Sequence, residues 1–364
     1  MRLLLVSRVK PDNDNGGDVD DLRIPAAALH AFADQALRAA GADAVSAEGC
    51  ARALLHASRH GVDSHGIRLL PFYVDCLKTG LVKGAPKITV TKLRAAAARV
   101  DADGGLGHAP TYRAVEVAGE LAKDSGIGLA AVLHSTHFGA AGAYALAGAE
   151  AGFHCLVVCN SGAFVAPFDG ARALHGTNPI AYAAPAAPGS DPFLLDMATS
   201  AIPWNRLLLS RTLKHELPPD VAVDRHGDYT TDPEAAQLLA PVGGPRYGYK
   251  GAGLAGMIDI MSAALTGMRL GFEQDGTALG DTELGHIVIA IDPGLFGNAA
   301  DAAERVAAYI RAAQALSGDG RVVHAAGGPQ WAHRAERDAH GIPIPTALRA
   351  ELNQMAHALE LAAL

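Results

Sequence analysis

The sequence predicts an α/β fold in which a central mixed region sits between two helical ends. Three observations predict it. Apolar residues recur at helical spacing up to about residue 80. Short strand-like apolar runs then alternate with helical stretches, and helical spacing returns after residue 296. The 364 residues are long enough for two domains. With 49% hydrophobic and 19% charged residues they can bury a sizeable core, which excludes wholesale disorder.

Residues 1–21 read as a flexible extension, because the run Asp12-Asn13-Asp14-Asn15-Gly16-Gly17-Asp18 has nothing to bury. Structure should begin near Ile24-Pro25. Leu29, Phe32, Ala33, Ala36, Leu37 and Ala40 mark a first helix that stops at Gly41. A second starts at Ser46, with Cys50, Ala53, Leu54 and Ala57 on one face and Gly61 at its end. A third starts at Ser64, with the stripe Ile67, Leu70, Val74 and Leu77, closed by Gly80. Strands are expected over residues 87–92, 97–101, 127–134, 153–159, 180–184, 193–196 and 286–291, and helices over 111–124, 140–152 and 251–268. In the last of these helices Leu254, Met257, Ile258, Met261 and Leu265 should face inward. The tail carries one helix through Val306, Ile310 and Ala313 and another through Leu348, Leu352, Met355 and Leu359. The expected domains are a helical unit over 22–95, a mixed α/β unit over 96–295, and a helical return over 296–364 that packs on the first.

Lys plus Arg total 30 against 38 Asp plus Glu, a formal charge of −8. That balance argues against a nucleic-acid partner, whose affinity needs Lys and Arg on phosphates. Cys50, Cys76, Cys155 and Cys159 form no CxxC pair and no disulfide framework, so a reduced, cytoplasmic protein is expected. The four-residue apolar run near the start is too short for a signal-peptide core of roughly 7–15 residues, and no apolar stretch approaches the roughly 20 residues of a membrane span.

Chemistry concentrates at element junctions. His60-Gly61-Val62-Asp63-Ser64-His65-Gly66-Ile67-Arg68 lies where one helix ends and another begins, and a helix start suits a carboxylate ligand. His65 there can exchange a proton near neutral pH and Arg68 can hold a carboxylate. The same residues also read as an N-cap at Ser64, a turn at Asp63 and a polar first turn at His65. His134-Ser135-Thr136-His137-Phe138-Gly139 follows a buried strand, a place where α/β folds open a ligand crevice, or a surface loop with two histidines. His60, His65, His134 and His137 could be pooled into a metal site. Their spacing matches no strong zinc signature, so no metal is expected. Gly251-Ala252-Gly253-Leu254-Ala255-Gly256 is literally GxGxxG, but Arg246-Tyr247-Gly248-Tyr249-Lys250 before it is no apolar strand, so the glycines read as close packing. Lys250 stands out as a cation at a helix start. Cys159-Asn160-Ser161, Gly176-Thr177-Asn178-Pro179 and Asp196-Met197-Ala198-Thr199-Ser200 are polar patches at strand ends. Together they imply a groove along one edge of the central unit.

These motifs resemble the malate/L-lactate dehydrogenase family, whose cofactor domain is not a Rossmann fold. The resemblance rests on Asp63-Ser64-His65-Gly66, His137-Phe138-Gly139, Gly176-Thr177-Asn178-Pro179, Asp196-Met197-Ala198-Thr199-Ser200, Thr231-Asp232-Pro233, Gly248-Tyr249-Lys250-Gly251 and Gly341-Ile342-Pro343, in the family's order from about residue 22 onward. It implies an α/β (α+β) fold with a largely antiparallel central sheet and a helical domain built from both chain ends. It also implies an NAD- or NADP-dependent homodimer that moves a hydride to or from the 2-carbon of a small 2-oxo or 2-hydroxy acid, or of a cyclic 2-imino acid. In this reading His65 and His137 are the acid/base candidates, assisted by Asp196. Ser64, Arg68 and Asn178 bind the substrate carboxylate. Ser161, Asp196, Met197, Ala198 and Lys250 line the nicotinamide end of the cofactor, with Gly327 and Gly328 at its far end. The sequence departs from the family in three places. Leu69 stands where many members have arginine, the cofactor loop reads Ala326-Gly327-Gly328 without proline or acid, and residues 201–206 follow their own pattern. The different-class alternative is a metal-dependent hydrolase or lyase using the histidines, which a chelator would inhibit. A further one is a non-catalytic nucleotide-binding protein of the same fold.

Overall fold

The computed structural model describes residues 22–274, 283–318 and 320–364, and the expected extension over 1–21 lies outside these. The central sheet has seven strands: β2 (Thr89–Arg94), β3 (Ala97–Asp101), β4 (Ile127–Ser135), β5 (His154–Cys159), β6 (Ile180–Ala184), β7 (Phe193–Met197) and β10 (Leu284–Ile291), after a short β1 (Leu22–Ile24), while β8 (Ala222–Val223) and β9 (Leu238–Leu239) pair with each other outside it. Their spatial order is β2-β3-β4-β10-β5-β6-β7, and every pairing except β3 with β4 is antiparallel. The largely antiparallel, non-Rossmann sheet is therefore present. β10 is buried along most of its length because it lies between β4 and β5 at the centre, whereas β2 is an exposed edge. Helices α4 (His108–Ser125) and α5 (Gly142–Glu150) cover one face with alanine-rich surfaces that pack close to the strands.

The chain ends meet. β1 pairs antiparallel with β11 (Ile342–Ile344), and α1 (Ala26–Ala39), α2 (Ala44–Arg59), α3 (Leu70–Lys78) and α10 (Thr346–Ala358) share one apolar core. Asp43 caps α2 by accepting from the Ser46 amide. The expected helix from Ser64 starts later. Two single 3₁₀ turns, over Asp63–His65 and Ile67–Leu69, precede α3. β2 pairs with β3, so the central sheet takes in residues before 96. α8 (Ala299–Gln314) lies beside the β7 edge, where Tyr309 meets Phe193 and the Ala303 carbonyl accepts from Ala187.

Three helices differ from expectation. α6 (Trp204–Leu213) and α9 (Gly328–His340) were not foreseen. α7 runs Gly244–Asp259, ahead of the expected start, and ends in a π-turn over Ile260–Ala264. On α7 Ile258 is buried, but Met257 is 42% exposed, and Leu265 beyond its end is 70% exposed, so the inward face is narrower than the apolar spacing implies. The literal GxGxxG lies inside α7. A Cβ at Gly251 would sit 2.3 Å from the Val242 carbonyl oxygen, so that glycine serves close packing. No helix among the described residues is long and apolar enough to cross a membrane.

Candidate active site

The turn between α2 and α3 is fixed from the far end of the sequence. Arg337 on α9 is only 4% exposed and grips Asp63 with two bonds of 2.6 and 2.8 Å, while also donating to the Ser58 carbonyl. The Ser58 hydroxyl accepts from the Ile67 amide at 2.9 Å. Between these anchors Ser64 Oγ lies 2.9 Å from His65 Nδ1 and sets the ring's orientation.

His137 arrives from the loop after β4. Its Nδ1 lies 2.6 Å from the hydroxyl of Tyr73, a buried residue of α3. Burial holds the Tyr73 hydroxyl protonated by pushing its pKa well up. The hydroxyl donates to Nδ1 or accepts from Nδ1–H according to the ring's tautomer, and either bond fixes the ring by Nδ1. The His65 and His137 rings stand 6.0 Å apart, centre to centre. Desolvation lowers His65 to about 4, and desolvation together with the neighbouring His65 lowers His137 well below the usual histidine range. Both are neutral at pH 7.

β7 delivers Asp196, Met197 and Ala198. Burial pushes the Asp196 carboxyl up to about 6, against the backbone N–H of Gly142, which lowers it. On the adjoining strand ends the backbone is locked by amides. Asn178 Oδ1 accepts from the Ser161 amide at 3.1 Å, and its Nδ2 donates to the Ala255 carbonyl at 3.0 Å. Thr199 Oγ1 donates to the carbonyls of Thr177 and Asn178. A Cβ at Gly176 would lie 2.0 Å from Ser161 Oγ, so only glycine fits. The Ser161 hydroxyl is buried without a partner among the described residues.

These segments enclose a cavity of about 540 Å³. Ser64, His65, His137, Ser161, Asp196, Met197 and Ala198, seven of the residues singled out in the sequence, all contribute to its wall. Others do not. Arg68 is exposed on the second 3₁₀ turn. Asn178 is fully buried and spends its amide on the backbone. Lys250 lies in the body of α7, exposed, over the Tyr247 ring at 5.2 Å, so it is no helix-start cation. Gly327 and Gly328 form the turn into α9 beside Leu194 of β7. His134 turns outward to Asp101, and no group of three or more His, Cys, Asp or Glu able to hold a metal is found among the described residues. Sequence reasoning missed Tyr73, Arg337, Phe72 and Leu208, whereas Trp204 belongs to the stretch 201–206 that departs from the family pattern.

Over residues 24–353 the chain matches the family described as malate/L-lactate dehydrogenase. It is 40% identical over 259 residues to a malate dehydrogenase of Pyrococcus horikoshii, covering 69% of this chain and 71% of that one. It is 37% identical to a (2R)-3-sulfolactate dehydrogenase (NADP(+)) of Chromohalobacter salexigens, with 72% and 79% covered. A Delta(1)-pyrroline-2-carboxylate/Delta(1)-piperideine-2-carboxylate reductase of Pseudomonas putida is 37% identical, with 68% and 74% covered. The solved structure of the malate dehydrogenase from Pyrococcus horikoshii OT3 superposes with a TM-score of 0.86 at 31% identity, over 95% of this chain and 98% of that one. Fold and site define an oxidoreductase with a non-Rossmann cofactor domain. The chain belongs to the malate/L-lactate dehydrogenase family, whose members are NAD(P)-dependent dehydrogenases and reductases.

Proposed function

We propose that the chain catalyses reversible hydride transfer between NAD(P) and the 2-carbon of a small 2-oxo or 2-hydroxy acid, with His137 as the proton donor and acceptor. The observation that carries this reading is the pair of neutral imidazoles and a desolvated carboxyl lining one cavity. The cavity fits the nicotinamide end of the cofactor. The buried Ser161 hydroxyl has an unused valence toward an amide group, and the β7 backbone at Asp196–Ala198 offers a flat edge beside it. The bound nicotinamide supplies or accepts the hydride.

The chain's own residues manage the proton and the geometry. Tyr73 holds His137 by Nδ1, so that Nε2 is presented to the substrate. When the anionic substrate binds, the ring takes up a proton. This imidazolium gives its Nε2 proton to the substrate oxygen as it gains negative charge, leaving the neutral ring that accepts it back in the reverse direction. His65, held by Ser64, orients the carbonyl and carboxylate. Asp196 and Ser161 hold the nicotinamide amide. Arg68, Lys250, Gly327 and Gly328 carry no role in the cavity as it stands, so cofactor contacts at Lys250, Gly327 and Gly328 belong to the stretch beyond it.

Alanine at His137 should cut turnover by roughly 10²–10⁴-fold, the usual worth of a placed proton donor. Alanine at His65 should raise KM more than it lowers kcat. Wild-type turnover in both single variants would refute the assignment. The assay follows reduced-nicotinamide absorbance with NADH and NADPH in turn. A homodimer is part of the proposal, supported by the exposed Met257, Ile260 and Leu265 around α7 and its π-turn. Light scattering that reports a single-chain mass would reject it.

A further inference from the structure

Among the described residues the cavity wall carries no lysine and no arginine, and Asp196 is its one carboxyl. Its two histidines are neutral at pH 7. Arg68 and Arg206, the cations nearest in sequence to the wall, are not part of it. Part of the wall is apolar. Phe72 projects from α3, while Trp204 and Leu208, four residues apart on α6, present one face of that helix. A single carboxylate can be held in such a site by neutral donors, namely the Ser64 hydroxyl, the His65 ring and the Asn205 amide. A second anionic group on the substrate's side chain would lie against Phe72, Trp204 and Leu208 with no cation of the described wall to meet it, and a charge partly desolvated by apolar side chains without a partner is disfavoured.

We infer that the substrate is a monoanion: a 2-oxo or 2-imino acid with one carboxylate and an otherwise apolar skeleton, selected by Phe72, Trp204 and Leu208. Dicarboxylates and sulfonates, the substrate types named for two of the relatives above, are excluded from this cavity. The inference rests on the dehydrogenase reading and adds its specificity. Apolar pockets discriminate by contact area, whereas a site without a cation rejects a second charge far more sharply.

The test is a kcat/KM panel with both reduced cofactors. Phenylpyruvate, 4-methyl-2-oxopentanoate and Δ1-piperideine-2-carboxylate form one arm, and oxaloacetate and 3-sulfopyruvate the other. At least one of the first arm should exceed both of the second by tenfold or more. Leu208→Arg places a cation at the apolar wall, and Leu208 is 40% exposed, so the fold should accommodate it. This variant should move the ratio of oxaloacetate to 4-methyl-2-oxopentanoate at least tenfold toward oxaloacetate. Oxaloacetate or sulfopyruvate equal to or better than the apolar acids in the wild type would overturn the inference alone. An unchanged ratio in an active Leu208→Arg enzyme would overturn it as well. Reduction of no acid or imine in either arm would overturn the dehydrogenase reading and the inference with it.

Discussion

Mild acid should unfold this protein, and buried histidines set the amount. His60 and His65 are held at about 4, and His108 and His286 at about 3, in each case chiefly by desolvation. In the unfolded chain each titrates near 6.5. A histidine with a lowered folded pKa leaves stability untouched above about pH 6.5. Below it the unfolded state takes up a proton that the folded state refuses, so stability falls as pH falls. At pH 5 each of the four has cost about 2 kcal/mol relative to pH 8, or about 8 kcal/mol together. Asp196 acts with the opposite sign. Its carboxyl, raised to about 6, becomes neutral in the fold as pH drops and returns about 1 kcal/mol over the same interval. The remaining loss of about 7 kcal/mol is of the order of a whole domain's stability. Urea unfolding followed by the fluorescence of Trp204 and Trp331 should therefore show its midpoint collapsing between pH 8 and pH 5. His286 makes the point locally. Thr111 Oγ1 donates to the Gly107 carbonyl and accepts from His286 Nδ1 at 2.7 Å, so a second proton on this ring would charge the middle of the sheet. A substitution of His108 by Gln, whatever it does at pH 8, should recover about 2 kcal/mol of the pH 8-to-5 difference. Equal stability at pH 8 and pH 5, or an unchanged difference in that variant, would refute the reasoning.

Two more predictions concern the scaffold under the site. Asp63→Ala strands a guanidinium that is 4% exposed and should cost about 3–5 kcal/mol, whereas Arg337→Met leaves a carboxylate that is 42% exposed and should cost about 1–2 kcal/mol. Urea midpoints of the two variants check the order, and the reverse order would deny that Arg337 is the buried partner. Gly176→Ala forces a methyl group into Ser161 and should cost about 1–3 kcal/mol of stability, read as a lower urea midpoint; a midpoint equal to wild type would show that the contact can relax.

Much of the site was legible because its residues sit at element ends. Ser64-His65, His137, Ser161 and Asp196-Met197-Ala198 each follow a recognisable helix or strand, and strand ends of one sheet edge converge. The misreadings have local causes. Lys250 looked like a helix-start cation because the helix was begun at Gly251. The helix begins at Gly244, which leaves Lys250 on an exposed flank. Asn178 looked like a ligand donor because its amide is polar, but backbone groups on both sides consume it. Tyr73 was hidden inside an apolar stripe, where nothing in spacing distinguishes a hydroxyl that reaches a histidine 64 positions away. α9 is amphipathic but poor in large apolar residues, Trp331 being its one bulky apolar side chain. It is held by Arg337 on Asp63, Arg59 on Asp338 and the Trp331 indole on the Pro192 carbonyl, partners that only the folded chain brings together. α6 opens on Pro203-Trp204-Asn205 and carries three consecutive leucines, so its apolar residues point in several directions and give no helical stripe.

In a chain of net charge −8 an anionic substrate needs local compensation, and Arg68 and Lys250 are the cations that the sequence offers for it. Neither lies in the cavity wall, and this changes how the proposed chemistry is powered. A neutral imidazole is no acid near pH 7, so the ring must first take up a proton, which negative charge beside it favours. A fixed arginine there would attract the carboxylate but would also lower the histidines further. Without one, the substrate's own carboxylate raises the His137 pKa on binding, and the ring takes up the proton that it then gives to the oxyanion formed on hydride addition. Desolvation, the cause of both low histidine pKa values and of the acid lability, thus also makes that response large, because charges interact more strongly where water is excluded. The absence of a cation, the neutrality of the two histidines and the apolar wall of Trp204 and Leu208 are consequences of one design, in which a single negative charge on the substrate sets the proton donor's acidity.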